Sequence, residues 1–263
     1  MRPIGVFDSG VGGLTVVKEL IKQLPSEDIV YFGDTARVPY GIKSKETVVR
    51  FSIENILLLL KHNVKLICVA CNTVSSFALP EIKNHFKVPI IGVLSPGAKE
   101  AVYATRNKRI GVIGTKGTIK SRAYELEIKQ LDPNIKVIAK SCPLFVPFVE
   151  EGFLSGEVVL KVAKDYLLPL KNAGVDTLIL GCTHYPLLKS VIKEVMGNHV
   201  VLIDSAKQVA LEVKNILDSE NELNTKRLSK RTFLVSDNPE WFRDLAKRFL
   251  GQSIKNVMRV SNV

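Results

Sequence analysis

Short β-branched runs alternate with helix-length stretches from one end of this chain to the other, and that alternation narrows the fold more than any other feature. Strands are expected at 4–7, 29–32, 66–70, 90–93, 110–113, 135–139, 177–180 and 200–203. Amphipathic helical segments fall between them at 14–24, 45–61, 121–131, 156–173 and 187–196, and a last strand and helix are expected within 233–249. Strands separated by helix-length segments imply right-handed βαβ crossovers and parallel pairing. Parallel sheets carry helices on both faces, so the expected class is a doubly wound α/β protein. In such sheets ligands collect at the carboxyl ends of the strands.

The two stretches richest in chemistry echo each other. Residues 66–73 read L-I-C-V-A-C-N-T and residues 178–184 read L-I-L-G-C-T-H. Each is a buried strand, then a small residue, a cysteine and a hydroxyl or amide side chain. Two related α/β lobes with facing strand ends would bring Cys71 and Cys182 together. A chance echo is the competing explanation, because apolar strands of this kind are common.

Composition removes several other classes. With 263 residues, 46% of them hydrophobic and 24% charged, the chain can bury a real core. Its longest aliphatic run, 56–60, is far too short to span a bilayer. The opening Met1-Arg2-Pro3 runs straight into an apolar segment and reads as a first strand, not a signal peptide, so a cytoplasmic protein with no membrane partner is expected. The formal charge of 37 − 26 = +11 invites a nucleic-acid partner. Against that, lysines are scattered, and the densest cluster (Lys226, Arg227, Lys230 and Arg231) has no interleaved aromatics on which bases could stack. No nucleic-acid partner is expected. A basic surface suits an anionic small substrate. Four cysteines, Cys68, Cys71, Cys142 and Cys182, are too few and too spread for a secreted disulfide framework.

The candidate chemical groups all sit at strand ends. Asp8-Ser9-Gly10-Val11-Gly12-Gly13 follows the first strand and opens a helix, but lacks a phosphate-loop Lys-Ser/Thr and completes no dinucleotide fingerprint. Its glycines still let N–H groups approach a carboxylate, and Asp8 is suited to an ammonium or a neighbouring thiol. Cys68 and Cys71 match C-x-x-C, yet three positions apart on one strand they face opposite ways and cannot bridge easily. Cys68 is assigned to the core, and Cys142 to core or plain surface. Asn72 and Thr73 can bind a carboxylate beside Cys71. His184 can assist proton movement at Cys182 or stand beside it as an imidazolium. A zinc site from Cys71, Cys182, His184 and Asp8 stays open on spacing alone, although no structural zinc pattern is present. Three further turns complete the set: 33–41, where Tyr40 and backbone N–H groups could grip a polar ligand, 114–118, and 150–152.

Taken together, these segments resemble the glutamate racemases of bacterial cell-wall synthesis, within the aspartate/glutamate racemase superfamily. The matching pieces are FDSGVGGLTV at 7–16, GDTARVPYG at 33–41, VACNT at 69–73, IGT at 113–115, FVPFVEEG at 145–152 and LGCTHYPLL at 180–188. They occur in order up to about residue 203; the stretch after Ser219 carries little of the signature and 219–231 reads as a surface linker. The resemblance implies cofactor-independent racemisation of L- and D-glutamate, with no metal, supplying D-glutamate for peptidoglycan. It implies Cys71 as the base toward D-glutamate and Cys182 toward L-glutamate. Asp8 would assist Cys71, and His184 would assist Cys182 with Glu150 in its network, Glu151 being the rival acid. The substrate would be held by Asp8, Ser9, Tyr40, Gly41, Asn72, Thr73, Thr115, Thr118, Thr183 and His184. With the internal echo, the resemblance places one lobe at 1–94 completed by 208–263 and a second, pseudo-symmetric lobe at 95–207, the active site lying in the cleft between them. The expected partner is glutamate, and a homodimer is the one assembly considered. An aspartate racemase is the alternative within the superfamily, and a zinc-dependent hydrolase or a thiol redox protein the alternatives outside it.

Overall fold

The computed structural model describes residues 2–225 and 229–260; Lys226 and Arg227 of the basic cluster lie outside the described residues. Ten strands are described: β1 (Ile4–Asp8), β2 (Ile29–Gly33), β3 (Leu66–Val69), β4 (Ile90–Gly92), β5 (Arg109–Gly114), β6 (Lys136–Ser141), β7 (Thr177–Gly181), β8 (Val201–Ile203), β9 (Arg231–Val235) and β10 (Val257–Arg259). They form two sheets, β10-β9-β2-β1-β3-β4 and β6-β5-β7-β8, in which every pairing is parallel. The α/β class follows directly, with the two sheets as the centres of two lobes. Read from β4 to β2 and from β8 to β6, the two sheets repeat one connection order: fourth strand, third, first, second. Central strands β1, β3 and β7 are buried along their whole length, as parallel strands covered on both faces must be.

The helices between these strands are α1 (Leu14–Gln23), α2 (Lys45–Leu60), α3 (Asn72–Phe77), α4 (Leu79–Ile82), α5 (Leu94–Ala104), α6 (Lys116–Lys120), α7 (Ala123–Leu131), α8 (Phe145–Glu151), α9 (Glu157–Asn172), α10 (Lys189–Met196), α11 (Ser205–Ser219) and α12 (Pro239–Leu250). Helix α11 packs on both α1 and α5, and its buried Val209, Val213 and Leu217 join a core that includes Leu14, Val17 and Leu20 of α1.

Several elements differ from the sequence expectation. The 114–118 segment is not an open turn: Thr115 caps α6, its Oγ1 accepting the Thr118 N–H at 3.2 Å. Residues 150–151 close a helix, α8, and only Gly152, at φ +85°, makes the turn. Helices α3, α5, α8 and α11 and strand β10 were not anticipated. Pro96-Gly97 in α5 and Pro147 in α8 mask the helical period, and Thr and Ser weaken it in α3. The described part of 219–231 is not a loose linker. Asn224 is buried and its N–H donates to Glu27 Oε1 at 2.6 Å, while Glu27 pairs with Lys65 at 2.7 Å, both almost fully buried.

Candidate active site

Each sheet presents a thiol just beyond its third strand. After β3, Ala70 leads to Cys71, the N-cap residue of α3, and after β7 comes Cys182. The neighbouring strands β1 and β5 carry the chain the other way across their sheets, so both thiols stand at topological switch points. Both are nearly buried, at 5% and 6% exposure, and both line one cavity of ≈ 270 Å³, a size suited to a small amino acid.

The Cys71 side is acidic. Burial, and after it the charge of Asp8, push the Cys71 thiol up to about 12, against the opposing N–H of Val74 and hydroxyl of Ser9. Its Sγ lies 3.8 Å from Ser9 Oγ. Asp8 is itself wholly buried at the end of β1. Its Oδ2 accepts the Gly10 N–H at 3.0 Å, and its Oδ1 has no hydrogen-bond partner among the described residues. Burial raises the Asp8 carboxyl above the usual range, while the His184 charge and the N–H groups of Gly10, Gly13 and Ser9 pull the other way. Asp8 does not line the cavity; Ser9 and Gly10 do. A cation entering beside Cys71 would offset the Asp8 charge and lower the thiol, and an ammonium group supplies one.

The Cys182 side carries a cation instead. His184 Nδ1 lies 3.8 Å from Sγ of Cys182, and Nε2 lies 2.9 Å from Oε1 of Glu150. Burial works against the charged ring, but the hydrogen bonds to Cys182 and Glu150 outweigh it and lift the imidazole to about 10. An imidazolium there can hold negative charge on the sulfur or hand it a proton. Glu151 is exposed, so of the two rival acids it is Glu150 that reaches His184. Gly12 lets the first turn close on this group: a Cβ there would stand 2.2 Å from Thr183 Oγ1 and 2.6 Å from His184 Nδ1.

Hydroxyls join the two sides. Thr73 Oγ1 is 3.0 Å from Thr115 Oγ1, which is 3.1 Å from Thr118 Oγ1. Gly41 abuts the same cluster, where a Cβ would meet Thr115 Cβ at 2.6 Å. Of the residues singled out in the sequence, Ser9, Tyr40, Gly41, Asn72, Thr73, Thr115, Glu150, Thr183 and His184 line the cavity. Thr118 does not; it is buried behind Thr115 and Thr73. Tyr40 lines the cavity, but its hydroxyl donates to Asp34 and accepts from Asn55 Nδ2 at 3.2 Å, so that hydroxyl is not the grip expected of it. Cys68 and Cys71 belong to different apolar clusters and both are free thiols. Cys142 is buried, its carbonyl accepting from Tyr185 at 2.8 Å. Among the described residues no three His, Cys, Asp or Glu side chains gather as metal ligands, which leaves the zinc set without its geometry.

The Asp/Glu/Hydantoin racemase family model matches residues 4–213. The chain belongs to that family. A curated glutamate racemase of Geobacter metallireducens is 51% identical over 261 residues, 99% of this chain and 97% of that one. The crystal structure of glutamate racemase from Francisella tularensis in complex with D-glutamate superimposes with a TM-score of 0.94 at 42% identity, covering 99% of this chain and 97% of that chain. The Thermus thermophilus glutamate racemase, in complex with beta-chloro-D-alanine, gives 0.90 at 48% identity, again over 99% and 97%.

Polar and reactive groups are not the only contributors. An apolar wall of Val38, Pro39 and Ile42 on one side and Pro143, Val146 and Pro147 on the other also lines the cavity. Val38, Pro39, Val146 and Pro147 fall inside matched segments, yet an apolar side chain there carries no chemical signal that sets a cavity wall apart from core. More telling is α12, beyond the matched span. Arg248 Nη1 donates to the carbonyls of Val149 and Glu150 at 2.9 and 2.6 Å, and Phe249 stands edge-on to the His184 ring at 5.1 Å. An arginine on carbonyls at a helix C-terminus is favourable twice over, as donor and as cation at the negative end.

Proposed function

We propose that this chain interconverts L- and D-glutamate, one thiol taking the α-proton while the other delivers a proton to the opposite face. The observation that carries this is the pair of nearly buried cysteines, one from each sheet, on a single cavity. The relatives support the choice of substrate: they are glutamate racemases, one of them in complex with D-glutamate.

Cys71 acts as the base toward D-glutamate and Cys182 toward L-glutamate. In the L-to-D direction the base is Cys182, with His184 charged beside it, and the acid is Cys71, whose raised thiol holds its proton at neutral pH. The proton leaves Cα for Sγ of Cys182, the electron pair stays on Cα, and the Cys71 proton then forms the new bond. The carbanionic charge spreads onto the α-carboxylate, where the fixed N–H and hydroxyl dipoles of Ser9, Asn72, Thr73 and Thr183 stabilise it. The substrate ammonium relieves the Asp8 charge that otherwise opposes a Cys71 thiolate, so the return direction also has its base. No cofactor enters this scheme. The product would supply D-glutamate for peptidoglycan in the cytoplasm, and the lobes divide at 1–94 with 208–263 against 95–207.

The test is circular dichroism of L- or D-glutamate incubated with EDTA-treated protein and no pyridoxal phosphate. Loss of optical rotation from either enantiomer is the expected result. No loss from either, or equal turnover of aspartate, would contradict the proposal.

A further inference from the structure

Asn72 follows Cys71 directly and lines the cavity. Among the described residues its side-chain amide has one hydrogen-bond partner, the hydroxyl of Tyr124, which donates to Oδ1 at 2.7 Å. Tyr124 comes from α7, in the second sheet's layer, whereas Asn72 opens α3 in the first. The Tyr124 ring also lies against Gly181, the residue before Cys182, where a Cβ would stand 3.3 Å from its Cε2. One side chain thus touches the backbone next to one thiol and the amide next to the other. Tyr124 lies outside every segment that carries the family resemblance.

The amide has two ends and the site needs only one of them. A phenol has a single proton; with that proton on Oδ1, the 3.5 Å contact to Ser205 is one in which Ser205 donates. Burial pushes the Tyr124 phenol well above its usual range, so it remains a donor throughout the neutral region. With Oδ1 held, the two N–H groups of Nδ2 are the end left for a ligand in the cavity that Asn72 lines. Rotated the other way, Oδ1 would face an incoming carboxylate and repel it.

We propose that Tyr124 is a positioning residue: its hydroxyl fixes the Asn72 amide so that Nδ2 donates to a carboxylate of the substrate. This rests on the assignment of Asn72 to glutamate binding. Steady-state kinetics of Tyr124→Phe, Asn72→Ala and the double variant, in both directions, test it, with thermal melting of each as a check on folding.

Tyr124→Phe should raise KM for glutamate and lower kcat, for about a tenfold loss in kcat/KM, because the Asn72 amide holds the carboxylate in the ground state and the charge that spreads onto it in the transition state. Asn72→Ala should raise KM at least as much, and adding Tyr124→Phe to it should cost nothing further, because the two act through one contact. Full additivity in the double variant would overturn the inference, as would a lowered Tm with KM unchanged. If Asn72→Ala raises KM and Tyr124→Phe does not, the positioning role alone falls. If Asn72→Ala leaves KM unchanged, the assignment of Asn72 to the substrate falls first and takes the inference with it.

Discussion

His184 and Cys71 both hold a proton more tightly in the folded chain than they would in the open, for different reasons. At Cys71 burial is the main cause; at His184 burial opposes the charge and the Cys182 and Glu150 contacts prevail. A group whose folded value is raised contributes stability that is complete below its ordinary value and lost as pH climbs through the folded one. For His184 that window runs from 6.5 to about 10, and for Cys71 from 9.0 to about 12, so alkaline titration should lower the melting temperature across this range. Glu150→Gln removes the carboxylate and should bring the His184 value down. Turnover of L-glutamate should then fall roughly tenfold to a hundredfold, with the alkaline limb of its pH profile at lower pH, and Glu151→Gln should do neither. Equal effects of the two variants would return Glu150 to the surface. The acidic pair 150–151 was legible in the sequence, but not which member faces inward, since that depends on where α8 stops.

At the level of elements, the strand ends were readable and several helices were not. All eight strands expected before residue 210 exist within a residue or two, because β-branched runs in a parallel sheet are apolar on both faces and stand out. Helix α11 was legible too, from Asp204 capping it and the spacing of Val209, Val213 and Leu217, yet it was not anticipated. The turn after β1 depends on its close approach to β7. Gly12→Ala places a methyl into Thr183 and His184, which should cost about 1–3 kcal/mol of stability and lower turnover in both directions. Chemical denaturation and initial rates read these separately; wild-type values in both would mean that the two ends do not meet. Arg248→Met leaves the last carbonyls of α8 without their donor. The variant should mimic part of Glu150→Gln, slowing L-glutamate turnover and moving its alkaline limb down, and an unchanged pH profile would confine Arg248 to the surface.

Across the whole molecule, one connection order is used twice, and each copy supplies a thiol from its third strand. The echo between 66–73 and 178–184 marks this repeat in the sequence, but a sequence does not show which buried polar pairs hold a lobe together. Within the first lobe Lys65 and Glu27 form a buried pair that also holds the chain returning to β9: Lys65 donates to the Glu222 carbonyl, and Glu27 accepts the Asn224 N–H. Lys65→Met strands the Glu27 charge and should cost about 3–5 kcal/mol in denaturant unfolding. Retained stability would show that solvent reaches Glu27. The central claim, however, is that two thiols divide the work, and hydrogen exchange at Cα tests it most directly. In deuterated water the delivering thiol has already exchanged with solvent, so product formed at early conversion should carry deuterium at Cα while recovered substrate stays protiated. Cys71→Ala and Cys182→Ala should each abolish racemisation. Deuterium appearing equally in recovered substrate and product, or racemisation surviving the loss of either cysteine, would contradict the two-thiol account.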